Sequence, residues 1–185
     1  MLSFHLFIYW VAIDRKHSAF LDWLGFKKVS KLDFKRFFIL VMTVLFLLVS
    51  LFILFRLKGV STATTVFRGG GVKVLPAILI YGLFNTALPE ELFFRGFLLK
   101  RLMQKLAFPL ANTIQSLCFA LIHGFMFLKV LDVGSIMMIT GFVFAIAYGM
   151  GYINEKKTQG SIVPSWLIHA AANIFSGLCA AFMLI

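Results

Sequence analysis

Residues 74–99, VLPAILIYGLFNTALPEELFFRGFLL, place two adjacent glutamates and an arginine inside an otherwise apolar stretch. The run is long enough to cross a bilayer as a helix. Pro89 stands directly before Glu90 and Glu91, where it is expected to distort that helix. Because charge is costly in lipid, an ionisable residue inside such a segment indicates a functional site. This stretch therefore predicts both a membrane span and a buried polar site.

The rest of the chain has the composition of an integral membrane protein. Of its 185 residues, 61% are hydrophobic and 14% are charged, whereas a soluble domain carries roughly a quarter charged residues. The net charge of +11 is spread over short loops between apolar runs, without the basic face or stacking motif of a nucleic-acid-binding surface. The composition therefore predicts the lipid bilayer as a partner and no binding of nucleic acid.

Further apolar runs predict an all-α fold, a polytopic bundle of transmembrane helices. Five runs are long enough to span a bilayer: 37–55, 74–99, 111–131, 133–153 and 162–185. A sixth stretch, 1–13, is short for a span and is expected to be either a tilted first helix or an interfacial one. The chain divides into an N-terminal membrane region without motifs, 1–73, and a core that carries the motifs, 74–185.

The positions of lysine and arginine predict the orientation of this bundle. Twelve of them lie in loops 14–36, 100–110 and 154–160, which alternate onto one side of the membrane. Five lie on the opposite side: Arg56, Lys58, Arg68, Lys73 and Lys129. Since cytoplasmic loops carry the excess of positive charge, the first set is expected to be cytoplasmic. The sequence thus predicts a multi-pass protein of the cell membrane.

Several polar side chains within the predicted spans are candidates for a site, and most have a structural alternative. They are Glu90, Glu91, Arg95, His123, His169 and Asn173. Glu91 and Arg95 are four residues apart and can form a neutralising ion pair. A single histidine such as His123 is often a core residue that has found a hydrogen bond. His169 and Asn173 lie one turn apart on the same face of a helix. They can form either a functional site or polar hydrogen bonds between helices.

The depths of three of these residues agree. At a rise of ~1.5 Å per residue, Glu90, His123 and His169 lie roughly 13–16 Å from the cytoplasmic ends of their helices. Three helices therefore bring a carboxylate and two imidazoles to one level of the membrane. This agreement predicts a single buried polar cavity that opens to the cytoplasm.

Three short motifs resemble those of one family. EELFFR at 90–95 has the pattern Glu-Glu-x-x-x-Arg, FALIH at 119–123 the pattern Phe-x-x-x-His, and HAAAN at 169–173 the pattern His-x-x-x-Asn. Their order, and their placement in apolar helices, are similar to those of the CAAX protease and bacteriocin-processing (CPBP, or Abi) family of intramembrane endopeptidases. The resemblance covers residues 74–185.

The resemblance implies a peptidase that acts on a membrane-associated protein or peptide. It assigns Glu90 as the general base, which together with His123 activates a water for attack on the scissile carbonyl. It assigns His169 and Asn173 to stabilisation of the oxyanion. The second glutamate and the arginine of the first motif would brace the site.

The resemblance favours a metal-free reaction without a cofactor, and other possibilities stay open beside it. Two imidazoles and a carboxylate can bind Zn²⁺, so Glu90, His123 and His169 are the alternative metal ligands, although a helical His-Glu-x-x-His pair is missing from the sequence. A catalytically silent scaffold or bacteriocin-immunity protein could share the fold. A small-solute transporter is a further alternative, but transporters usually show repeats or paired broken helices.

Overall fold

A computed structural model describes residues 2–16, 19–27, 42–47, 50, 53 and 62–184. All regular secondary structure in these ranges is helical, as the sequence predicts. The main helices are α1 (Leu2–Tyr9, continued by a π-helical turn, Trp10–Asp14), α2 (Phe20–Leu24), α3 (Gly71–Leu102), α4 (Phe108–Phe125), α5 (Val133–Lys157) and α6 (Val163–Ala181). A short 3₁₀ helix, Ala63–Phe67, precedes α3.

Within the described residues, three helices are long and apolar enough to cross a membrane, namely α3, α5 and α6. Helix α4 takes the place of the predicted span 111–131 but is not among them, because Asn112, Gln115 and His123 make it less apolar. The predicted span 37–55 lies mostly outside the described residues. A bundle of membrane helices is therefore confirmed, whereas the number of five spans is not.

Helix α3 changes its winding around the two glutamates. Its segments Tyr81–Ala87 and Leu92–Leu99 are π-helical and flank an α-helical turn, Leu88–Glu91. Pro89 has no N–H to donate to the preceding turn, and a wider turn is one way in which a helix accommodates the missing bond. The distortion expected at Pro89 thus takes the form of wider turns on both sides of the glutamates. The helix continues through them without a break.

Helix α6 packs antiparallel against the first half of α3. The register is given by three contacts: Ile78 with Gly177, Gly82 with Ile174, and Glu91 with His169. The glycines permit this close approach, because a Cβ atom on Gly177 would lie 2.8 Å from Cγ2 of Ile78. The pairing brings the polar residues of the first and third motifs next to each other.

Helices α4 and α5 form a hairpin against the second half of α3. An apolar cluster fills the junction: Phe94, Phe119, Ala120, Ile139, Val143 and Ala147. Above it, Asn112 Nδ2 donates to the carbonyl of Tyr148 at 2.9 Å, and Gln115 Nε2 donates to Asn112 Oδ1 at 2.9 Å. Both amide side chains are fully buried. Asn112 therefore joins α4 to α5, Gln115 holds the amide of Asn112, and α4 presents His123 to α3.

The N-terminal segment is tied to the ends of α3 and α6. Arg101 Nη1 donates to Asp14 Oδ2 at 2.6 Å, and Trp23 Nε1 donates to the same oxygen at 2.7 Å. The N–H of Ile162 donates to the carbonyl of Gly25 at 2.9 Å. An apolar cluster joins the three parts: Leu6, Trp23, Leu24, Leu92 and Ile162. The first helices are thus packed onto the core that carries the motifs.

We expect Gly82→Ala to lower the free energy of unfolding by about 1–3 kcal/mol. The added methyl would lie 2.6 Å from Cγ1 and 3.2 Å from the backbone nitrogen of Ile174, and that nitrogen can move only if α6 shifts. The matched control is Gly141→Ala in α5, where a Cβ atom meets nothing within 4 Å. Thermal unfolding of both variants in detergent micelles measures the difference. Equal melting temperatures for the two would contradict the packing described here.

Candidate functional site

The carboxylate of Glu90 faces two imidazole rings. Its Oε2 atom lies 3.8 Å from Nε2 of His123 on α4 and 3.7 Å from Nε2 of His169 on α6. The structure thus brings together the three side chains that the sequence places at a common depth. Both distances exceed that of a direct hydrogen bond. The carboxylate can therefore still accept a hydrogen bond from a third group between the rings.

The side chains of Glu90 and His123 are more exposed than that of His169. The side chains of Glu90 and His123 are 34% and 29% exposed, whereas that of His169 is 6% exposed. Among the described residues, the Oε2 atom of Glu90 that faces both rings is itself buried and has no hydrogen-bond partner. The ring of His169 forms the inner wall.

Glu91, the next residue of the chain, is completely buried and holds two partners. Its Oε1 atom accepts from Arg95 Nη1 at 2.7 Å and from His169 Nδ1 at 3.0 Å. Arg95 is also fully buried, and its guanidinium lies 4.4 Å from the ring centroid of Phe119. A buried charge requires a partner, so the pairing expected from the spacing of these residues is present. The same carboxylate also orients the ring of His169.

Both histidine rings are oriented through their Nδ1 atoms. His123 Nδ1 lies 2.9 Å from the carbonyl oxygen of Phe119, and because a carbonyl can only accept, this nitrogen carries the hydrogen. His169 Nδ1 likewise faces a carboxylate oxygen of Glu91. In each ring Nε2 is therefore the atom left to act at Glu90.

Asn173 contacts a residue that the sequence analysis did not single out. Its Nδ2 atom donates to Thr86 Oγ1 at 2.7 Å. Thr86 lies on α3, four residues before Glu90, and Asn173 lies on α6, four residues after His169. The signal for Thr86 in the sequence was this spacing of about one helical turn from the first motif.

Phe119, the first residue of the second motif, is a second residue whose contacts the sequence did not indicate. Its ring centroid lies 4.3 Å from that of His123 and 5.9 Å from that of His169. It also lies beneath the guanidinium of Arg95. One buried aromatic ring therefore separates the buried ion pair from the more exposed histidine.

The zinc alternative finds no support in the arrangement of the donor groups. In the ranges that the structure describes, no three side chains among His, Cys, Asp and Glu are grouped so that they could hold one metal ion. Whether this protein uses a metal stays a prediction.

A carboxylate and two imidazoles gathered among apolar helices define a class: membrane proteins with an ionisable site inside a helix bundle. The family model described as "Type II CAAX prenyl endopeptidase Rce1-like" matches residues 71–175, more than half of the chain. The chain belongs to this family, and the match confirms the resemblance drawn from the three motifs, all of which lie inside it. A comparison with curated proteins finds no match, and neither does a comparison with solved structures.

Proposed function

We propose that this protein is an intramembrane endopeptidase that hydrolyses a peptide bond in a membrane-associated protein or peptide. The observation that carries the proposal is the position of Glu90 Oε2, within 3.8 Å of Nε2 of both His123 and His169. The family description supports prenylated CAAX peptides as the substrate class. The distribution of lysine and arginine supports a site in the cell membrane that opens to the cytoplasm.

In the proposed reaction Glu90 is the general base. Its carboxylate accepts a proton from a water that it holds together with His123, and the water oxygen attacks the carbonyl carbon of the scissile bond. The carbon–nitrogen bond then breaks, and the proton held by Glu90 passes to the leaving amine. The 3.8 Å between Glu90 Oε2 and His123 Nε2 supports this assignment, because the distance is too long for a direct hydrogen bond and the carboxylate can still accept one from a water.

His169 and Asn173 stabilise the oxyanion that forms on attack. His169 faces Glu90 with its Nε2 atom, and the contact of Nδ1 with the buried Glu91 keeps the ring in that orientation. Asn173, one turn along the same helix, donates from its amide. Glu91 and Arg95 act through His169 as positioning residues. No metal or other cofactor takes part in this mechanism.

We expect His123→Ala to lower kcat by about 10²-fold or more, because Glu90 loses the partner with which it holds the water. The measurement uses purified protein in proteoliposomes, with cleavage of a prenylated CAAX peptide and of its unprenylated copy followed by mass spectrometry. The matched control is His17→Ala, which lies outside both the described residues and the region of the family match. The control should cleave at the wild-type rate.

Two other outcomes of the same assay separate the alternatives. A wild-type rate no higher than that of His123→Ala would contradict the proposed function. If both versions then restored a deletion strain equally, a silent scaffold or an immunity protein would be supported instead. A cleavage rate that is lost with a zinc chelator and restored by Zn²⁺ would support the metal alternative. For the metal-free reaction, the chelator should leave the cleavage rate unchanged.

A further inference from the structure

Thr86 makes two hydrogen bonds that together determine how the amide of Asn173 is turned. The hydroxyl of Thr86 donates to the carbonyl oxygen of Tyr81 at 3.2 Å. Its oxygen accepts from Nδ2 of Asn173 at 2.7 Å. A hydroxyl has one hydrogen to donate, and that hydrogen is directed to Tyr81. The face of Thr86 toward α6 is therefore an acceptor only.

This arrangement selects one of the two orientations of an asparagine amide. The oxygen and nitrogen of the amide have nearly the same size, so shape alone does not distinguish them. An acceptor at Thr86 Oγ1 requires the NH₂ group of Asn173 on that side. One N–H of Asn173 is then held by Thr86, and the direction of the second N–H is fixed by the planar geometry of the amide.

The pair Thr86–Asn173 lies parallel to the pair Glu90–His169. Each pair joins α3 to α6, and the two are separated by four residues on either helix. Asn173 and His169 are four residues apart on α6 and therefore lie on the same face of that helix. A donor that is oriented before the reaction stabilises developing charge more than one that must reorient.

We propose that Thr86 is a positioning residue that holds the amide of Asn173 as a hydrogen-bond donor for the oxyanion. The proposal rests on the proposed function for its effect on rate. The bond itself can be measured separately. Tyr81 contributes through its backbone carbonyl, which the π-helical turn Tyr81–Ala87 places beside the hydroxyl of Thr86.

The first test compares Thr86→Val with Thr86→Ser in the proteoliposome assay. Valine has nearly the shape of threonine but neither donates nor accepts, and we expect kcat to fall by about 10- to 100-fold with KM unchanged, because the oxyanion exists only in the transition state. Serine keeps the hydroxyl and should retain the rate within about threefold. The matched control is Thr113→Val on α4, where the hydroxyl donates to the carbonyl of Pro109 on an exposed surface. This control should leave kcat unchanged.

A double variant tests whether Thr86 acts through Asn173. Thr86→Val combined with Asn173→Ala should be no slower than Asn173→Ala alone, because the positioned group is already missing. Full additivity of the two losses would overturn the proposal. Equal losses for valine and serine at position 86 would also overturn it, since they would point to packing, and so would a wild-type rate for Thr86→Val.

The second test does not depend on turnover. The chain has four asparagines, so protein labelled with ¹⁵N-asparagine gives four side-chain NH₂ signals in an NMR spectrum, and Asn173→Ala identifies one of them. In wild type and in Thr86→Ser, this signal should show one hydrogen-bonded N–H that exchanges slowly with solvent. In Thr86→Val, the slow exchange should be lost. A signal that valine does not change would overturn the positioning role. A signal that changes as expected in a protein without peptidase activity would contradict the proposed function and leave the bond established.

Discussion

Glu90→Gln is expected to lower the rate of peptide hydrolysis by at least about 10³-fold while the protein folds normally. Glutamine preserves the length and shape of the side chain, but its amide cannot take a proton from water. The side chain is 34% exposed, and its Oε2 atom lies 3.8 Å from Nε2 of His123 and 3.7 Å from Nε2 of His169, so its replacement should cost little stability. The loss should fall on kcat, because the proton is transferred only during the reaction.

The comparison needs a second glutamate as its control. Glu155→Gln changes a carboxylate on α5 that pairs with Lys100 at 3.2 Å. Lys100 lies on α3, ten residues after Glu90. This variant should cleave at nearly the wild-type rate in proteoliposomes. If Glu90→Gln kept more than about a tenth of the activity, Glu90 could not be the general base.

Arg95→Leu is expected to lower the free energy of unfolding by about 3–5 kcal/mol. Its guanidinium and the carboxylate of Glu91 are both fully buried and 2.7 Å apart. Removal of the arginine leaves a negative charge without its closest partner inside an apolar bundle. The energy of that isolated charge, rather than the loss of the contact, is the main cost. Unfolding by denaturant in detergent micelles measures the change.

The double variant Glu91→Leu with Arg95→Leu distinguishes this cause from a loss of packing. Without either charge, most of the lost stability should return, because an apolar pair can replace a buried ion pair at little cost. Activity should remain low, since His169 Nδ1 no longer has the carboxylate that orients it. A double variant as unstable as Arg95→Leu would show that the shape of the arginine matters more than its charge.

The spacing of the motifs predicted that Glu90, His123 and His169 lie close together, because helices that cross a bilayer all run roughly along its normal. Rise per residue converts a position in sequence into a depth, and residues at equal depth can meet across a bundle. The same argument does not say which helix faces which. The contact of Asn173 with Thr86, and that of Arg95 with Phe119, depend on this lateral packing between segments distant in sequence.

The ends of the helices were less predictable than their existence. Helix α4 ends at Phe125, although the apolar run continues to Leu131. The residues after Phe125 form turns instead of helix. Helix α5 continues to Lys157, four residues beyond the predicted end, with a final π-helical turn. There the ammonium of Lys156 lies 4.7 Å from the ring centroid of Phe108. The length of an apolar run indicates how many residues can lie in the bilayer. The residue at which a helix ends depends on local hydrogen bonds and contacts.

The packing of Leu6, Trp23 and Leu24 against Leu92 and Ile162 has a consequence for how this family diverges. The stretch that defines the family begins at residue 71, yet part of its apolar surface is covered by residues that precede it. Substitutions on the two sides of that boundary are therefore coupled. In relatives whose residues before position 71 differ, we expect correlated substitutions at the positions of Leu92 and Ile162. Chimeras joined at the boundary should lose stability unless both partners come from the same parent.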